Sequence, residues 1–141
     1  MKADMLRLTA NDGDDLAVIS AQMQDAVIKL SDINFNVKRR QFAMVANRFA
    51  WDARPQKIRR RSGLHFDSVL GVKKSGLANV GDETVLSLLS IDFTPTDAPA
   101  GYIILAFSAG HQLRLEIECL DVTMSDLGPA WPTEFQPEHA D

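Results

Sequence analysis

From Val27 onward, apolar residues recur at every second position in short segments that polar turns separate. This period is typical of β-strands with one buried face, because successive side chains of a strand point to opposite faces of the sheet. It is clearest at residues 113–119, and further strands are predicted at residues 62–72 and 84–93. The continuous apolar run at residues 102–107 predicts a strand buried on both faces or nearly so. The chain should therefore fold mainly as antiparallel sheet.

One stretch near the N-terminus has a helical period instead. Leu16, Ile19, Met23 and Val27 recur at helical spacing, which predicts an amphipathic helix of about three turns. The polar residues 11–15 before it supply an Asn or Asp cap, and their acids suit the positive end of the helix dipole. This is the single long helical pattern in the sequence.

The β region contains an internal repeat. A shift of 58 residues aligns Ile28 with Leu86. The same shift aligns Met44 with Tyr102, and a shift of 51 aligns the third strands. We interpret the pattern as two three-stranded antiparallel meanders joined by residues 76–83, although strand periodicity alone would produce several of these matches. Because neither meander could bury its apolar face alone, we predict an α+β fold, a sandwich or partly open barrel with the N-terminal helix over one opening. Its strand count alone is similar to that of pleckstrin-like barrels.

The end of the domain combines glycine and proline with a tryptophan. A brief helical turn is predicted at residues 122–127, because Gly128 and Pro129 would stop it. Trp131 is expected to pack on the chain's own core, although a ring flanked by prolines can also anchor another subunit. Residues 1–131 form the single predicted domain, and residues 132–141 a loose tail.

The charges of the chain are strongly segregated. Eleven of the fifteen Lys and Arg residues lie between Lys38 and Lys74, where Asp52 and Asp67 are the acids, which gives a formal charge of +9. The rest of the chain carries −13, so the net charge of −4 is a small difference between two opposed regions. Such a distribution favours an anionic partner, the chain's own acidic half or a second copy of the chain.

The candidate binding residues are the cations of this segment together with one aromatic residue, Trp51. Strand alternation does not place the Trp51 ring in the core. Residues 53–61 form an insertion relative to the repeat, so the densest positive charge is expected on a loop rather than on a strand. The candidate set is Lys38, Arg39, Arg40, Trp51, Arg54, Lys57, Arg59, Arg60, Arg61, Lys73 and Lys74.

This basic surface predicts a non-enzymatic binding or scaffolding protein that meets an acidic protein surface. The acidic surface would belong to another protein or to a second copy in a homodimer. Arginine also matches phosphate oxygens, so a nucleic-acid or phospholigand binder is the first alternative, although an isoelectric point of about 5.3 disfavours it. A solvated rim of cations with no specific partner would produce the same pattern.

One group of residues suggests metal binding or catalysis. His65 and Asp67 share a face of one strand, and the repeat aligns them with Glu116 and Glu118. If the two strands were neighbours, these side chains could hold a divalent metal, which makes a small metal-dependent enzyme the second alternative. Solvent-facing positions on two amphipathic strands explain the same residues without a site. Cys119 lies on an apolar face that is typical of a buried thiol, and without a catalytic motif neither catalytic residues nor a cofactor are predicted.

The composition also bears on location. Hydrophobic residues make up 45% and charged residues 24% of the chain, as in an ordinary folded domain. The single cysteine excludes an intramolecular disulfide, and no apolar stretch has the length of a signal peptide or a membrane span. The predicted location is therefore the cytoplasm, with no membrane partner.

Three segments carry a resemblance to a known family: LRLTANDGDDLAVISAQMQDAV, RRRSGLHFDSVLGVKKSGL and RLEIECLDVTMSDLGPAW. Together they resemble a family of short alphaproteobacterial proteins that is classified as a domain of unknown function. The resemblance covers the chain from about Leu6 to Trp131. It implies a bacterial, cytoplasmic protein with one domain, and it assigns no activity, cofactor or catalytic residue.

Overall fold

The computed structural model describes residues 5–76, 80–134 and 136–137. Within them one α-helix, α1 (Gly13–Met23), accompanies ten strands, and single turns of 3₁₀ helix occur at Leu30–Asp32, Trp51–Ala53 and Ser108–Gly110. The strands are β1 (Arg7–Ala10), β2 (Val27–Lys29), β3 (Ile33–Asn36), β4 (Gln41–Phe49), β5 (Ile58–Phe66), β6 (Val69–Ser75), β7 (Val85–Pro95), β8 (Gly101–Phe107), β9 (Gln112–Ile117) and β10 (Val122–Pro132).

Helix α1 begins and buries its apolar face as the sequence predicts. The Asp15 amide donates a 2.8 Å hydrogen bond to the Asp12 carboxylate, which caps the first turn. Three of the four predicted apolar positions, Leu16, Ile19 and Met23, are buried. The prediction that Val27 is a fourth position on this helical face is wrong. The backbone is left-handed at Asp25 (φ 65°), and Val27 already belongs to β2.

The strands form one continuous path in the order β1-β10-β5-β4-β2-β7-β8-β9-β6, with β3 paired to β4 outside this path. Neighbours along both predicted meanders are antiparallel, β3–β4–β5 in the first and β7–β8–β9 in the second. The strand after each meander crosses to the other one, since β6 pairs with β9 and β10 pairs with β5. The predicted class is confirmed: a mainly antiparallel sheet, not closed among the described strands, with a helix near the N-terminus.

The register of the sheet corrects one alignment within the repeat. Ile28 and Leu86, which the shift of 58 aligns, are paired directly across β2 and β7. In the next strands, however, Met44 is buried whereas Tyr102 is half-buried, and the inward position beside Tyr102 is Ile103. A shift of 59 therefore matches the buried faces of β4 and β8, because a slip of one residue exchanges the faces of a strand. The duplication itself stays an interpretation.

Of two local predictions in the C-terminal half, the helical turn is wrong and the buried strand is not. Residues 122–127 are extended in β10 rather than helical, since β10 pairs with β1 on one side and β5 on the other. Two neighbouring strands satisfy its backbone along this stretch, which outweighs a weak local helical pattern. In β8, buried residues alternate with half-buried ones and none is exposed, which agrees with a strand that is covered on both faces or nearly so.

The predicted linker and tail are described in part. Residues 77–79 of the linker and residues 135 and 138–141 of the tail lie outside the described residues. In the tail, the Thr133 amide donates a 2.9 Å hydrogen bond to the Lys57 carbonyl, and Pro137 is buried.

Gly101, at the start of β8, is a position where the core admits no side chain. A Cβ there would lie 2.5 Å from the Thr94 carbonyl oxygen and 2.5 Å from Cε1 of Phe93. Gly101→Ala should therefore lower the free energy of unfolding by about 1–3 kcal/mol in urea denaturation. Gly81→Ala is the control, because its Cβ would meet nothing within 4 Å. Equal stability of the two variants would contradict this prediction.

Candidate binding surface

The predicted basic residues lie in three separate places rather than on one surface. Lys38, Arg39 and Arg40 form the turn between β3 and β4, and Lys73 and Lys74 lie on β6. The remaining cations surround the start of β5. This start is paired with the far end of β4, about 26 Å from the β3–β4 turn at the usual rise of a strand.

The turn between β3 and β4 is partly neutralised within the chain. The Asn36 side chain accepts a 3.1 Å hydrogen bond from the Arg39 amide, and Arg40 adopts a left-handed conformation (φ 52°). The Arg40 guanidinium donates a 2.6 Å hydrogen bond to Glu118, a residue of the acidic second half. Lys38 and Arg39 remain exposed. The opposed charges of the two halves thus meet inside one chain at this end.

The lysines of β6 have a structural explanation. In the described sheet β6 lies at one end and pairs with β9, and a bulge between Val69 and Gly71 leaves Leu70 exposed. Lys73 and Lys74 are exposed beyond this bulge. Bulges and lysines are common devices that protect an edge strand from pairing with another chain. These two cations therefore do not require a partner.

The three consecutive arginines lie on a strand and not on the predicted inserted loop. Arg59, Arg60 and Arg61 belong to the nine residues of β5, which pairs with β4 and β10. Strand alternation turns Arg60 inward, where its side chain is 5% exposed and donates to the Gly128 carbonyl at 3.3 Å. Arg59 and Arg61 point outward. The prediction of a loop over residues 53–61 is thus wrong after residue 57.

Arg59 belongs to a stack of rings and cations at the end of β4. Its guanidinium lies 5.9 Å from the ring centroid of Phe49, and the Phe49 and Trp51 rings meet edge to face at 4.6 Å. Arg54 lies 5.5 Å from the Trp51 ring, and the Trp51 indole donates a 3.0 Å hydrogen bond to the Gln24 carbonyl. Trp51 is half-buried, so it is a fixed part of the structure rather than a free surface ring.

Burial lowers the pKa of Arg59 from its ordinary value, against the charge of Asp25, which raises it. The guanidinium donates to the backbone carbonyls of Asn47 at 3.1 Å and Asp25 at 3.4 Å. No carboxylate in the described part of the chain forms an ion pair with Arg59. The same is true of Arg54, Lys57 and Arg61, all exposed, although Asp and Glu outnumber Lys and Arg in the sequence.

Two exposed apolar side chains accompany these cations on the outer face. Trp131 of β10 is paired with Arg59 and is 38% exposed. The expectation that Trp131 packs into the core is therefore wrong. Leu127 is 55% exposed and lies over Gly63, where an added Cβ would be 3.2 Å from Leu127 Cδ1. We call Lys57, Arg59, Arg61, Leu127 and Trp131 the cationic face.

A buried ion-pair network lies on the opposite face of the same strands, and sequence reasoning missed it. The side chains of Arg48 and Asp126 are both 0% exposed. Arg48 donates to both Asp126 oxygens, at 2.8 and 2.9 Å, and to Asp52 at 2.9 Å. The Ser62 hydroxyl and the Leu6 amide also donate to Asp126, at 2.6 and 2.7 Å.

Burial alone would raise the pKa of Asp126 and lower that of Arg48. The mutual hydrogen bonds and charges outweigh burial, so the pKa of Asp126 lies below its ordinary value and that of Arg48 above its own. Both groups are therefore ionised in the folded protein. One sequence signal pointed here: Arg48 continues the inward series of Phe42, Met44 and Ala46 at a spacing of two, where an apolar residue is expected.

A family model described as "Protein of unknown function (DUF2948)" matches residues 6–139. The chain belongs to this family. The predicted resemblance to a family of unknown function is thus confirmed over nearly the full length. No curated protein and no solved structure matches the chain.

In this family member the predicted metal-binding residues do not come together. His65 Nδ1 lies 3.1 Å from Asp67, but Glu118 pairs with Arg40, and Glu116 is on β9. Strands β5 and β9 are not neighbours: β5 lies between β10 and β4, whereas β9 lies between β8 and β6. Among the described residues, no three His, Cys, Asp or Glu side chains are placed to hold a metal ion.

Two further features bear on the remaining predictions. Cys119 is half-buried, and its sulfur lies 3.7 Å from the Ser68 hydroxyl oxygen. None of the helices in the described ranges is long and apolar enough to cross a membrane.

Proposed function

We propose that this protein is a non-enzymatic binding protein whose cationic face contacts an acidic surface of a protein partner. The observation that carries the proposal is the grouping, on one face, of cations that form no ion pair with a carboxylate of the described residues, around two exposed apolar side chains. Lys57, Arg59 and Arg61 supply the charge, and Leu127 and Trp131 supply the apolar area. The resemblance to short alphaproteobacterial proteins supports the bacterial cytoplasm as the setting.

The composition of the face suits a protein interface. Tryptophan and arginine are enriched among the residues that contribute most to binding energy, and charged residues around them speed association and exclude wrong partners. Arg59, Arg61 and Trp131 lie on the paired strands β5 and β10, which hold this part of the face in place before binding. An aliphatic side chain such as Leu127 adds nothing to phosphate binding, which favours a protein over a nucleic acid.

A second copy of the chain offers one surface of the required kind. A groove of about 390 Å³ runs between α1 and β7, lined in part by Ala17, Leu89 and Asp92. Asp14 and Asp15 are exposed at the beginning of the same helix. Acidic and apolar groups thus occur together there, as a partner of the cationic face requires.

Charge reversal on the cationic face tests the proposal. The double variant Lys57→Glu, Arg61→Glu should bind a synthetic polyglutamate peptide at least about tenfold more weakly than the wild type in fluorescence anisotropy at low salt. The double variant Lys73→Glu, Lys74→Glu is the matched control, because it reverses the same charge on the protected edge strand. We expect its affinity to change by less than about twofold.

Equal weakening by the two double variants would show a non-specific effect of net charge and would contradict the proposed site. Tighter binding of a single-stranded oligonucleotide than of polyglutamate would favour the nucleic-acid alternative instead. Sedimentation of the wild type over a salt series tests the self-associating form. Association at low salt that Lys57→Glu, Arg61→Glu abolishes supports a second copy as the partner, and a monomer at every salt concentration rejects it.

A further inference from the structure

The second half of β7 has a neighbouring strand on one side only. Among the described strands, β2 pairs with β7 as far as Ser87, whereas β8 continues beside it to Pro95. From Ser90 onward, helix α1 lies along the side of β7 that faces away from β8. We call the backbone of Ser90–Pro95 on this side the open edge, because the N–H and C=O groups of an unpaired edge are a template for a further strand.

The hydrogen bonds of the β7–β8 hairpin show which backbone groups point to the open edge. The Thr96 amide donates to the Ala100 carbonyl at 3.0 Å, so every second residue before Thr96 also directs its backbone at β8. The residues between them, Ile91, Phe93 and Pro95, therefore direct theirs at the open edge. Pro95 suits this position, since it has no amide to leave unpaired.

Helix α1 satisfies one of these groups. The Ile91 amide donates a 2.9 Å hydrogen bond to Ser20 Oγ, and the Asp25 amide donates to the Leu88 carbonyl at 2.7 Å. Later residues of the helix thus lie beside earlier residues of β7, so the helix runs antiparallel to the strand. The helical turn before Ser20 therefore lies beside Phe93.

This helical turn leaves room beside the Phe93 backbone. It contributes Ala17 and Gly13 to the wall of the groove, and neither has the side-chain acceptor that Ser20 offers to Ile91. Ala17 is exposed, and a Cβ added at Gly13 would meet nothing within 4 Å. The groove of about 390 Å³ between α1 and β7 runs past these small residues, so an extended chain fits beside the open edge.

The walls of the groove define the side chains that such a chain needs. Leu89 is 41% exposed in this wall, which offers apolar contact. The side chains of Ile91 and Phe93 point to the core, whereas Asp92 between them is exposed. Residues directly opposite each other on antiparallel strands share a face and interact. An added strand should therefore place apolar residues opposite Ile91 and Phe93 and a cation opposite Asp92.

We propose that the open edge of β7 binds an extended peptide segment of another protein, with the pattern apolar-basic-apolar, by strand addition. The first apolar residue exchanges both backbone hydrogen bonds with Phe93, and the amide of the second donates to the Ile91 carbonyl. The basic side chain between them pairs with Asp92. In this mode of recognition the main chain supplies affinity and the alternating side chains supply specificity. The inference does not rest on the cationic face, which has the opposite charge.

A short palindromic peptide tests the backbone contacts. Fluorescein-labelled Thr-Val-Lys-Val-Thr amide should bind the full-length protein in fluorescence anisotropy, and N-methylation of both valine amides should weaken binding at least about tenfold. N-methylation of the lysine amide is the matched control and should cost less than about threefold, because that amide points away from β7. Equal affinity of the two methylated peptides, or no binding of the parent peptide at about 1 mM, would overturn the proposal.

Filling the groove tests the position of the peptide. Ala17→Leu places a larger side chain in the groove at an exposed helical position, so the Tm should change by less than about 2 °C while the peptide binds at least about tenfold more weakly. Val18→Leu is the control, because Val18 is 50% exposed on the same helix and does not line the groove. Equal peptide affinities of the two variants would contradict the assigned site.

A charge exchange gives a readout that a structural role would not produce. Asp92→Lys should weaken the lysine peptide at least about tenfold, and it should bind the same peptide with glutamate in place of lysine more tightly than the lysine peptide. Asp97→Lys makes the same change of charge at an exposed position outside the groove and should keep the preference for lysine. An unaltered preference in Asp92→Lys, or a reversed one in Asp97→Lys, would overturn the proposal.

Two measurements separate this inference from the proposed function. The double variant Lys57→Glu, Arg61→Glu should bind the lysine peptide within about twofold of the wild type, whether or not polyglutamate binds the cationic face. Weaker peptide binding by this variant would contradict the inference. Self-association of the wild type that Ala17→Leu abolishes in sedimentation would assign the groove to a second copy of the chain and would also overturn it.

Discussion

Replacing Asp126 by alanine should lower the free energy of unfolding by about 3–5 kcal/mol, because Arg48 would then keep its charge in the core without its main partner. Both side chains are fully buried, and Arg48 donates to both oxygens of Asp126. The Leu6 amide and the Ser62 hydroxyl would lose the same acceptor. Urea denaturation measures the loss as a lower midpoint.

The exposed pair of the β3–β4 turn supplies the control. Arg40 and Glu118 are also an arginine and a carboxylate, with an N–O distance of 2.6 Å, but their side chains are 56% and 50% exposed. Arg40→Ala should cost no more than about 1 kcal/mol, because water already solvates both groups. If Asp126→Ala costs as little as Arg40→Ala, the buried pair does not have the role assigned to it.

A double-mutant cycle separates the pair from its neighbours. Arg48→Met alone removes the cation and leaves Asp126 with its other two donors. Because the two groups are coupled, the double variant should lose less than the sum of the single variants by roughly 0.5–3 kcal/mol. Additive losses would mean that each side chain acts through other contacts.

Phe66→Ala should destabilise the protein by about 3–5 kcal/mol, because it would leave a cavity where the two halves of the chain meet. Phe66 is fully buried on β5, opposite Phe42 of β4 and Val122 of β10. Its ring meets that of Phe42 edge to face at 5.8 Å. Few neighbours can move into the space, since paired strands flank β5 on both sides.

The half-buried Phe35 of β3 is the matched control for this substitution. It packs against the same core from a strand that lies outside the main path of the sheet. Phe35→Ala should cost clearly less than Phe66→Ala in the same urea titration, because its side chain buries less area on folding. Losses of equal size would contradict the central position that we assign to Phe66.

The sequence predicted those elements in which the apolar residues of the buried face recur at a regular spacing. Alternation revealed β9, and helical spacing after an Asn or Asp cap revealed α1, because burial of one face imposes polarity at fixed intervals. The three arginines from Arg59 to Arg61 lie in an insertion relative to the repeat, so they were predicted to form a loop. In the structure, the pairing of β5 with β4 and β10 buries Arg60 and leaves Arg61 exposed.

The candidate sites depended on contacts between distant residues and were therefore less predictable. Arg48 and Asp126 are 78 positions apart, and only the pairing of β10 beside β5 brings the carboxylate to the arginine. The groove between α1 and β7 likewise joins a helix to a strand that follows much later in the sequence. The ring of Trp131, flanked by prolines, was expected to pack on the chain's own core, whereas its place on the outer face follows from the register with Arg59.

By itself the sequence determined that the chain folds as a mostly antiparallel sheet with one helix and that its charge is divided between two regions. Local periodicity and composition carry that information, since they do not depend on which strands become neighbours. The tertiary structure alone decided that the positive charge is divided among three places and that two arginines, Arg48 and Arg60, are buried. Strand order and register set those outcomes, because they choose which distant side chains share a face and which acids reach the arginines.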